Sequence, residues 1–186
     1  MQELWQLFDP QGRPITGRGA SKADIFNDGL LHGASHVWIW RANNGTPEIL
    51  LQKRAAQKRT WPNLYDISAA GHIDLSESPL SAALRETYEE IGVTVREADL
   101  LLFGVQKVYM IAGDGSIENE FQWLFLLKLP DNIEFQIQTE EVALLKWKSL
   151  DNFRREIRES DNQYVPHGNL YFETVISSIE RELVKP

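Results

Sequence analysis

A chain of 186 residues, 42% hydrophobic and 25% charged, has the length and composition of one globular domain with a sizeable core and modest extensions. Its net charge of −8 and pI near 5.0 argue against a general nucleic-acid or anionic-membrane binder. The absence of cysteine removes disulfides, thiolate metal sites and cysteine nucleophiles together.

A small phosphorylated substrate stays open, because bound divalent cations can invert a local field. The first residues, MQELWQLFDPQGR, have no basic region ahead of an apolar run and do not read as a signal peptide. No window approaches 18 continuous apolar residues, so no membrane span is expected, and the compartment reads as cytoplasmic.

In chain order, residues 4–8 and 14–17 flank Asp9-Pro10-Gln11-Gly12, a turn by composition, which predicts an N-terminal hairpin. Residues 18–33 are mixed and read as irregular. HVWIWR at 36–41 is a strand by aromatic and β-branched content, and Asn43-Asn44-Gly45 turns it into EILLQK at 48–53. A short strand at 65–69 feeds a loop and then a helix. Strands follow at 100–110 and 121–129, joined by Gly113-Asp114-Gly115, and another at 142–148; helices cover 150–160 and 169–183. Strands on both sides of a central helix, with helices at the end, predict a mixed sheet covered on both faces. The expected organisation is one domain over 1–186: a hairpin and extension at 1–33, a core at 34–150 and a C-terminal helical segment at 151–186.

The stretch 71–93, GHIDLSESPLSAALRETYEEIGV, carries the densest chemistry. Ser78 can cap a helix whose first turn takes Pro79, and Gly92 suits the left-handed stop. At helical period Leu80, Leu84, Thr87 and Ile91 form the stripe expected to be buried. Glu86, Glu89 and Glu90 fall at i, i+3 and i+4, on a face away from that stripe. Such a triplet is either a solvated acidic face, since like charges at this spacing cost only about 0.2–0.5 kcal/mol, or an oxygen-ligand site for Mg²⁺ or Mn²⁺ beside a substrate phosphate.

The flanks decide between them. Gly71, Glu77, Arg85, Glu86, Glu89, Glu90, Gly92 and Val93 fall at the spacing G-x5-E-x7-R-E-U-x-E-E-x-G-U, with U aliphatic and Thr87 the one departure. With residue frequencies near ~6% each, a chance match is on the order of one in ten million. This pattern resembles the signature of the Nudix hydrolases. The resemblance implies a Nudix-type α/β/α sandwich with a mixed β-sheet, and a metal-dependent diphosphate hydrolase. It implies Glu86, Glu89 and Glu90 as the cation ligands, with the main-chain carbonyl of Ala70 beside them. It implies Gly71, Glu77 and Gly92 as the shaped loop of the box, and Arg85 as the group that orients the loop and helix carboxylates. Read without the family, Arg85 is a surface partner of Glu89. Family members also recruit a carboxylate outside the box to bind a metal or activate water; here Glu120 is the choice over Glu118 for that ligand, with Glu140 and Glu141 behind. The base is Glu86, Glu89 or Glu120.

Lys53, Arg54, Lys58 and Arg59 crowd four cations into an acidic chain, and Lys53, Arg54 and Arg59 are taken as candidate phosphate contacts against the simpler reading of a solvated run. His36 and His167 read as structural. His32 and His72 belong to a second resemblance, that of residues 30–91 to isopentenyl-diphosphate isomerase, a Nudix relative, through LLHGASHVWIW, LLQKR, TWPNLYDISAAGH and a later ENE. His32 and His72 match two of its metal-binding histidines, and no third stands near residues 21–22. Ala70 occupies the position of its catalytic cysteine, and alanine can neither give nor take a proton. The leading expectation is therefore hydrolysis of a nucleoside diphosphate derivative or another organic diphosphate with Mg²⁺ (or Mn²⁺), the alternatives being an isomerase-like enzyme or a non-catalytic ligand-binding regulator. The expected partner is a small-molecule diphosphate, with no nucleic acid and no membrane, and the chain is a candidate homodimer. Trp38, Trp40, Trp61, Tyr65 and Trp123 are either core or part of a specificity pocket.

Overall fold

The computed structural model describes residues 3–111, 115–159 and 162–184. The chain begins with a hairpin, β1 (Trp5–Phe8) and β2 (Pro14–Ala20), then a short helix α1 (Lys22–Asp28). A long strand β3 (His32–Asn43) turns into β4 (Thr46–Arg54), followed by β5 (Tyr65–Asp66) and β6 (Ala69–His72). Helix α2 (Pro79–Ile91) leads to β7 (Leu100–Ile111), β8 (Ile117–Lys128) and β9 (Val142–Ser149), and the chain closes with α3 (Leu150–Arg158) and α4 (Asn169–Leu183). The Gly113-Asp114-Gly115 turn lies largely outside the described residues; β7 and β8 do pair antiparallel up to Ile111 and Ile117. No helix among the described residues is long and apolar enough to cross a membrane.

Residues 18–33, expected from their composition to be irregular, instead finish β2, form α1 and open β3. Ser21 caps α1 by accepting from the Asp24 amide, Gly29 ends it at φ 63°, and the fully buried Ile25 anchors it. One apolar anchor over seven residues gives almost no helical period to read.

The second sheet is mixed, in the order β5-β4-β3-β8-β7, with β6 also on β3 and β9 also on β4. Strand β3 pairs parallel with β8, setting His32 against Glu120 and Trp38 against Leu126. Strands β3 and β4 run together only from Trp40↔Ile49 to Asn43↔Thr46. Before Trp40 they part: β6 pairs with β3 from Ala34↔His72 to Val37↔Ala69, and β5 pairs with β4. This parting lets the loop that feeds α2 reach the middle of the sheet.

Alternating residues send opposite faces into two cores, as strand geometry requires. Trp38, Trp40, Ile49, Leu51, Leu124 and Leu126 pack against Phe153, Phe172, Val175 and Ile176 of α3 and α4. Val37, Ile39, Leu50, Phe125 and Leu127 pack against Ala83 and Ile91 of α2. Each large aliphatic so buried contributes roughly 1.5–3 kcal/mol. The buried stripe of α2 is shifted from expectation: Ala82, Ala83, Thr87, Glu90 and Ile91 are buried, whereas Leu80 and Leu84 are only partly covered. The two alanines admit the sheet closely, and this rotates Glu90 inward.

Candidate active site

Helix α2 is held at both ends by its own sequence. Ser78 Oγ accepts from the Ser81 amide at 3.1 Å, Pro79 opens the first turn, and Gly92 ends the helix at φ 73° with its amide donating to the Tyr88 carbonyl at 2.9 Å. A rigid helix of this kind can hold several carboxylates against the strand it covers.

That strand is β6, and the contact is close. A Cβ on Gly71 would lie 2.0 Å from Glu86 Oε1, so glycine here makes room for the Glu86 carboxylate at the backbone. One residue back, the Ala70 amide donates to Glu90 Oε2 at 3.0 Å, and Gln52 of β4 donates to the same oxygen at 3.2 Å. Arg85 ties the loop to the helix. Its Nε and Nη2 donate to the two Glu77 oxygens at 3.1 and 2.9 Å, Nη2 also to the His72 carbonyl at 2.9 Å, and Nη1 to Glu86 and Glu89 at 2.6 and 3.1 Å. It thus contacts both Glu89, its helical neighbour, and the loop carboxylate.

Electrostatically the cluster is short of positive charge. Burial, with Glu86 beside it, pushes the Glu90 carboxyl up to about 8. Burial likewise pushes Glu86 up to about 7, although Arg85 pulls the other way. Burial works against the charge of Arg85, but its bonds to Glu77 and Glu86 keep it firmly protonated. Glu86 and Glu89 meet at Arg85 Nη1 while Glu90 turns to the Ala70 amide and Gln52, so the three offer oxygen donors and surplus negative charge, the chemistry of a hard divalent cation. Among the described residues, however, the group that brings three ligand atoms within 4.8 Å of one another is His32, His72 and Glu120.

Glu120 lies in a second cluster. His32, His72 and Glu120 each present a ligand atom within 4.8 Å of the others. Glu120 Oε2 is 3.4 Å from His32 Nε2 and 3.9 Å from His72 Nε2, while Gln122 donates to its other oxygen. His32 Nδ1 is bonded to the Leu30 carbonyl at 3.0 Å, which turns Nε2 inward, and His72 stacks on Trp5 at 3.5 Å. His32 Nε2 and Glu120 Oε2 are buried without a hydrogen bond among the described residues. Burial opposes charge on both, and their mutual attraction raises His32 and lowers Glu120. Two imidazoles and a carboxylate, with unpaired atoms facing each other, fit a metal that accepts nitrogen as well as oxygen.

The basic run is dispersed. Arg54 donates to Asp66 at 2.9 Å and to the Thr60 carbonyl, Lys58 pairs with Glu141, Lys53 lies 6.0 Å from the Tyr65 ring, and Arg59 lies 5.7 Å from the Phe26 ring. Of the aromatic set, Trp38 and Trp40 are core, Tyr65 and Trp123 pack at its margins, and Trp61 is 43% exposed. Sequence reasoning missed Gln52 and Gln122, which hold Glu90 and Glu120, and Trp5, which covers His72. The two glutamines face opposite sides from central strands, a placement visible only once register is known.

Residues 31–168 match the model of the NUDIX domain family. The chain is similar to "Nudix hydrolase 3" of Arabidopsis thaliana, 35% identical over 82% of this chain, of which it spans only 20% of the length. It is similar also to an isopentenyl-diphosphate Delta-isomerase of Dinoroseobacter shibae, 30% identical over 83% of this chain and 84% of that one. In fold it resembles the NUDIX domain of Shewanella oneidensis NrtR, solved with ADP ribose, at a TM-score of 0.60 and 16% identity, covering 92% of this chain and 94% of that one.

Proposed function

The chain belongs to the NUDIX domain family, and on that premise we propose that it is a divalent-metal-dependent hydrolase of a diphosphate linkage in a nucleoside diphosphate derivative or another organic diphosphate. The observation that carries this reading is the packing of Glu86 and Glu90 onto the backbone at Gly71 and Ala70, Glu90 buried and Glu86 partly so, and both pushed toward neutrality. Mg²⁺ or Mn²⁺ held by Glu86, Glu89 and Glu90, with the Ala70 carbonyl beside them, would polarise phosphoryl oxygens and lower the pKa of bound water.

The chain's own residues supply position. Arg85 fixes the rotamers of Glu77, Glu86 and Glu89 at once, and the Ala70 amide and Gln52 fix Glu90. Attack on a phosphorus depends chiefly on such positioning and on charge stabilisation. The proton of the attacking water goes to Glu86 or Glu89; Glu120, the third choice from sequence, stands apart with His32 and His72 in the second cluster. A metal-supplemented hydrolysis screen over a diphosphate library, reading phosphate and organic product separately, tests the activity. Glu90→Gln should cut turnover more than about 100-fold, beyond the scale on which groups that merely orient metal ligands act. Unchanged turnover at saturating Mg²⁺ would refute the assignment.

A second reading is favoured by one observation, the gathering of His32, His72 and Glu120. These match residues of the isomerase resemblance and fit a second metal. Ala70, however, offers only a methyl where proton transfer to carbon would need a titratable group. Incubation with isopentenyl diphosphate should yield no dimethylallyl product; its appearance would replace hydrolysis by isomerisation.

A further inference from the structure

The N-terminal hairpin lies ahead of residues 31–168, the stretch that matches the family, yet it is built into the loop that carries Glu77. Strand β1 continues the line of β6 past His72. The Gln6 amide donates to the Ile73 carbonyl at 2.8 Å, Trp5 forms a bridge with Asp74, and the Leu75 amide donates to the Leu4 carbonyl at 2.8 Å. Trp5 and Leu7 pack into a small apolar cluster with Ile25. Side chains alternate along a strand, so Gln6 between them turns the other way.

Gln6 is 2% exposed, and both ends of its carboxamide are used. Nε2 donates to the carbonyls of Leu7, Ile15 and Arg18 at 2.8, 3.0 and 3.3 Å, all within the hairpin. Oε1 accepts from the Ser76 amide at 3.0 Å, 70 residues along the chain. Carbonyls around one end and an N–H at the other fix which end is oxygen. One buried side chain therefore ties the hairpin to the loop ahead of α2.

The tie falls where the backbone needs it. Asp74 to Glu77 is a four-residue turn, closed by the Glu77 amide on the Asp74 carbonyl at 2.9 Å, and Ser76 stands in it at φ 70°. A turn with positive φ at its third residue favours glycine there, and another residue persists only where its surroundings hold it. Gln6 supplies that hold. The turn in its turn sets Glu77, whose Oε2 accepts from the Asp74 amide at 3.0 Å and whose two oxygens receive Arg85. From Arg85 the contacts run on through Nη1 to Glu86 and Glu89.

Resting on the hydrolase reading for what these carboxylates do, we propose that Gln6 is a positioning residue of the active site. It holds the Ser76 turn so that Glu77 fixes Arg85, and through Arg85 it sets the carboxylates of Glu86 and Glu89. The test follows the Arg85 Nε–H by nitrogen-15 NMR in the full chain without metal, where its bond to Glu77 slows hydrogen exchange with water. Gln6→Leu should speed that exchange about three- to tenfold, the weight of one hydrogen bond. Ser76→Gly, which takes φ 70° without strain, should restore most of the lost protection when added to Gln6→Leu. Gln6→Glu keeps an oxygen for the Ser76 amide; it should lower the melting temperature through the hairpin carbonyls and leave the Arg85 exchange at wild type, and it stands in where Gln6→Leu does not fold. A wild-type Arg85 Nε–H that exchanges like an exposed arginine, wild-type exchange in Gln6→Leu, a double variant no better than Gln6→Leu, or faster exchange in Gln6→Glu would each overturn the proposal. Mn²⁺ binding followed by electron paramagnetic resonance separates it from the hydrolase reading. Gln6→Leu should weaken Mn²⁺ binding about threefold or more, a step below the effect of a group bonded directly to a metal ligand. Lost Arg85 protection with wild-type Mn²⁺ affinity keeps Gln6 as a positioning residue and removes the cation seat, so the hydrolase reading fails alone. Unchanged Arg85 protection in Gln6→Leu, beside a Glu90→Gln that has lost turnover, overturns the role of Gln6 alone.

Discussion

Two clusters rooted at adjacent residues of β6 handle buried charge in different ways. Around Gly71 the carboxylates of Glu77, Glu86, Glu89 and Glu90 share one guanidinium and three neutral donors, the amides of Ala70 and Asp74 and the Gln52 side chain. Around His72 a single carboxylate meets two imidazoles, and two buried atoms are left without a hydrogen bond among the described residues. Consecutive strand residues point to opposite faces, so one short strand serves both clusters. The contrast in donor atoms teaches that they differ in chemistry as well as in place. An oxygen-only set favours Mg²⁺, whereas a mixed nitrogen and oxygen set favours a transition metal.

The contrast breaks most completely with Gly71→Ala. The added methyl would meet Glu86 Oε1 at 2.0 Å, so the carboxylate must leave its seat. Hydrolysis should fall more than about 100-fold, since an ångström of misplacement already has effects of that order. Persistence of more than a tenth of wild-type turnover would show that Glu86 need not sit at the backbone. Arg85→Lys should come next, at about 10–100-fold, because a lysine ammonium cannot form the fork that holds Glu77, Glu86 and Glu89 together. Kinetics at saturating Mg²⁺ would check this, and a change confined to KM for the metal would point to binding in place of positioning.

The first cluster was far more legible than the second. Ser78, Pro79 and Gly92 bracket α2 by local chemistry, and the spacing of its glutamates is helical arithmetic. The burial of Glu90 could not be read this way, because its partner Gln52 lies 38 residues away on another strand. Glu120 joins His32 only because β3 and β8 pair in parallel at that register. Helix α1 was missed because a single buried isoleucine carries no period. Residue types announce donors, and register decides which donors meet.

A smaller effect separates the clusters by pH. Glu86 and Glu90 are pushed up to about 7 and about 8 from an ordinary value of 4.5, so without a cation the folded chain holds protons that the unfolded chain has released. The unfolded state binds fewer protons across that window, so cation-free stability should fall as pH rises from about 4.5 through 8. Asp66, held down to about 2 from 3.8, acts at the acid end, where its contribution is lost as pH falls below 3.8. Melting temperatures without metal should therefore be lower at pH 8 than at pH 6. Glu90→Gln should flatten that slope, and saturating Mg²⁺ should remove most of it. A cation-free melting temperature that rises with pH would contradict the assignment of surplus charge to this cluster.

Mn²⁺ binding followed by electron paramagnetic resonance at pH 7.5 tests the central claim most directly, that the helix carboxylates seat the catalytic cation. Relative to wild type, Glu86→Gln with Glu89→Gln should weaken Mn²⁺ binding by about tenfold or more, a loss at least as large as that from removing an outer-shell partner. Wild-type affinity in that double variant, with binding lost instead in Glu120→Gln, would place the cation at the histidine cluster and contradict the claim.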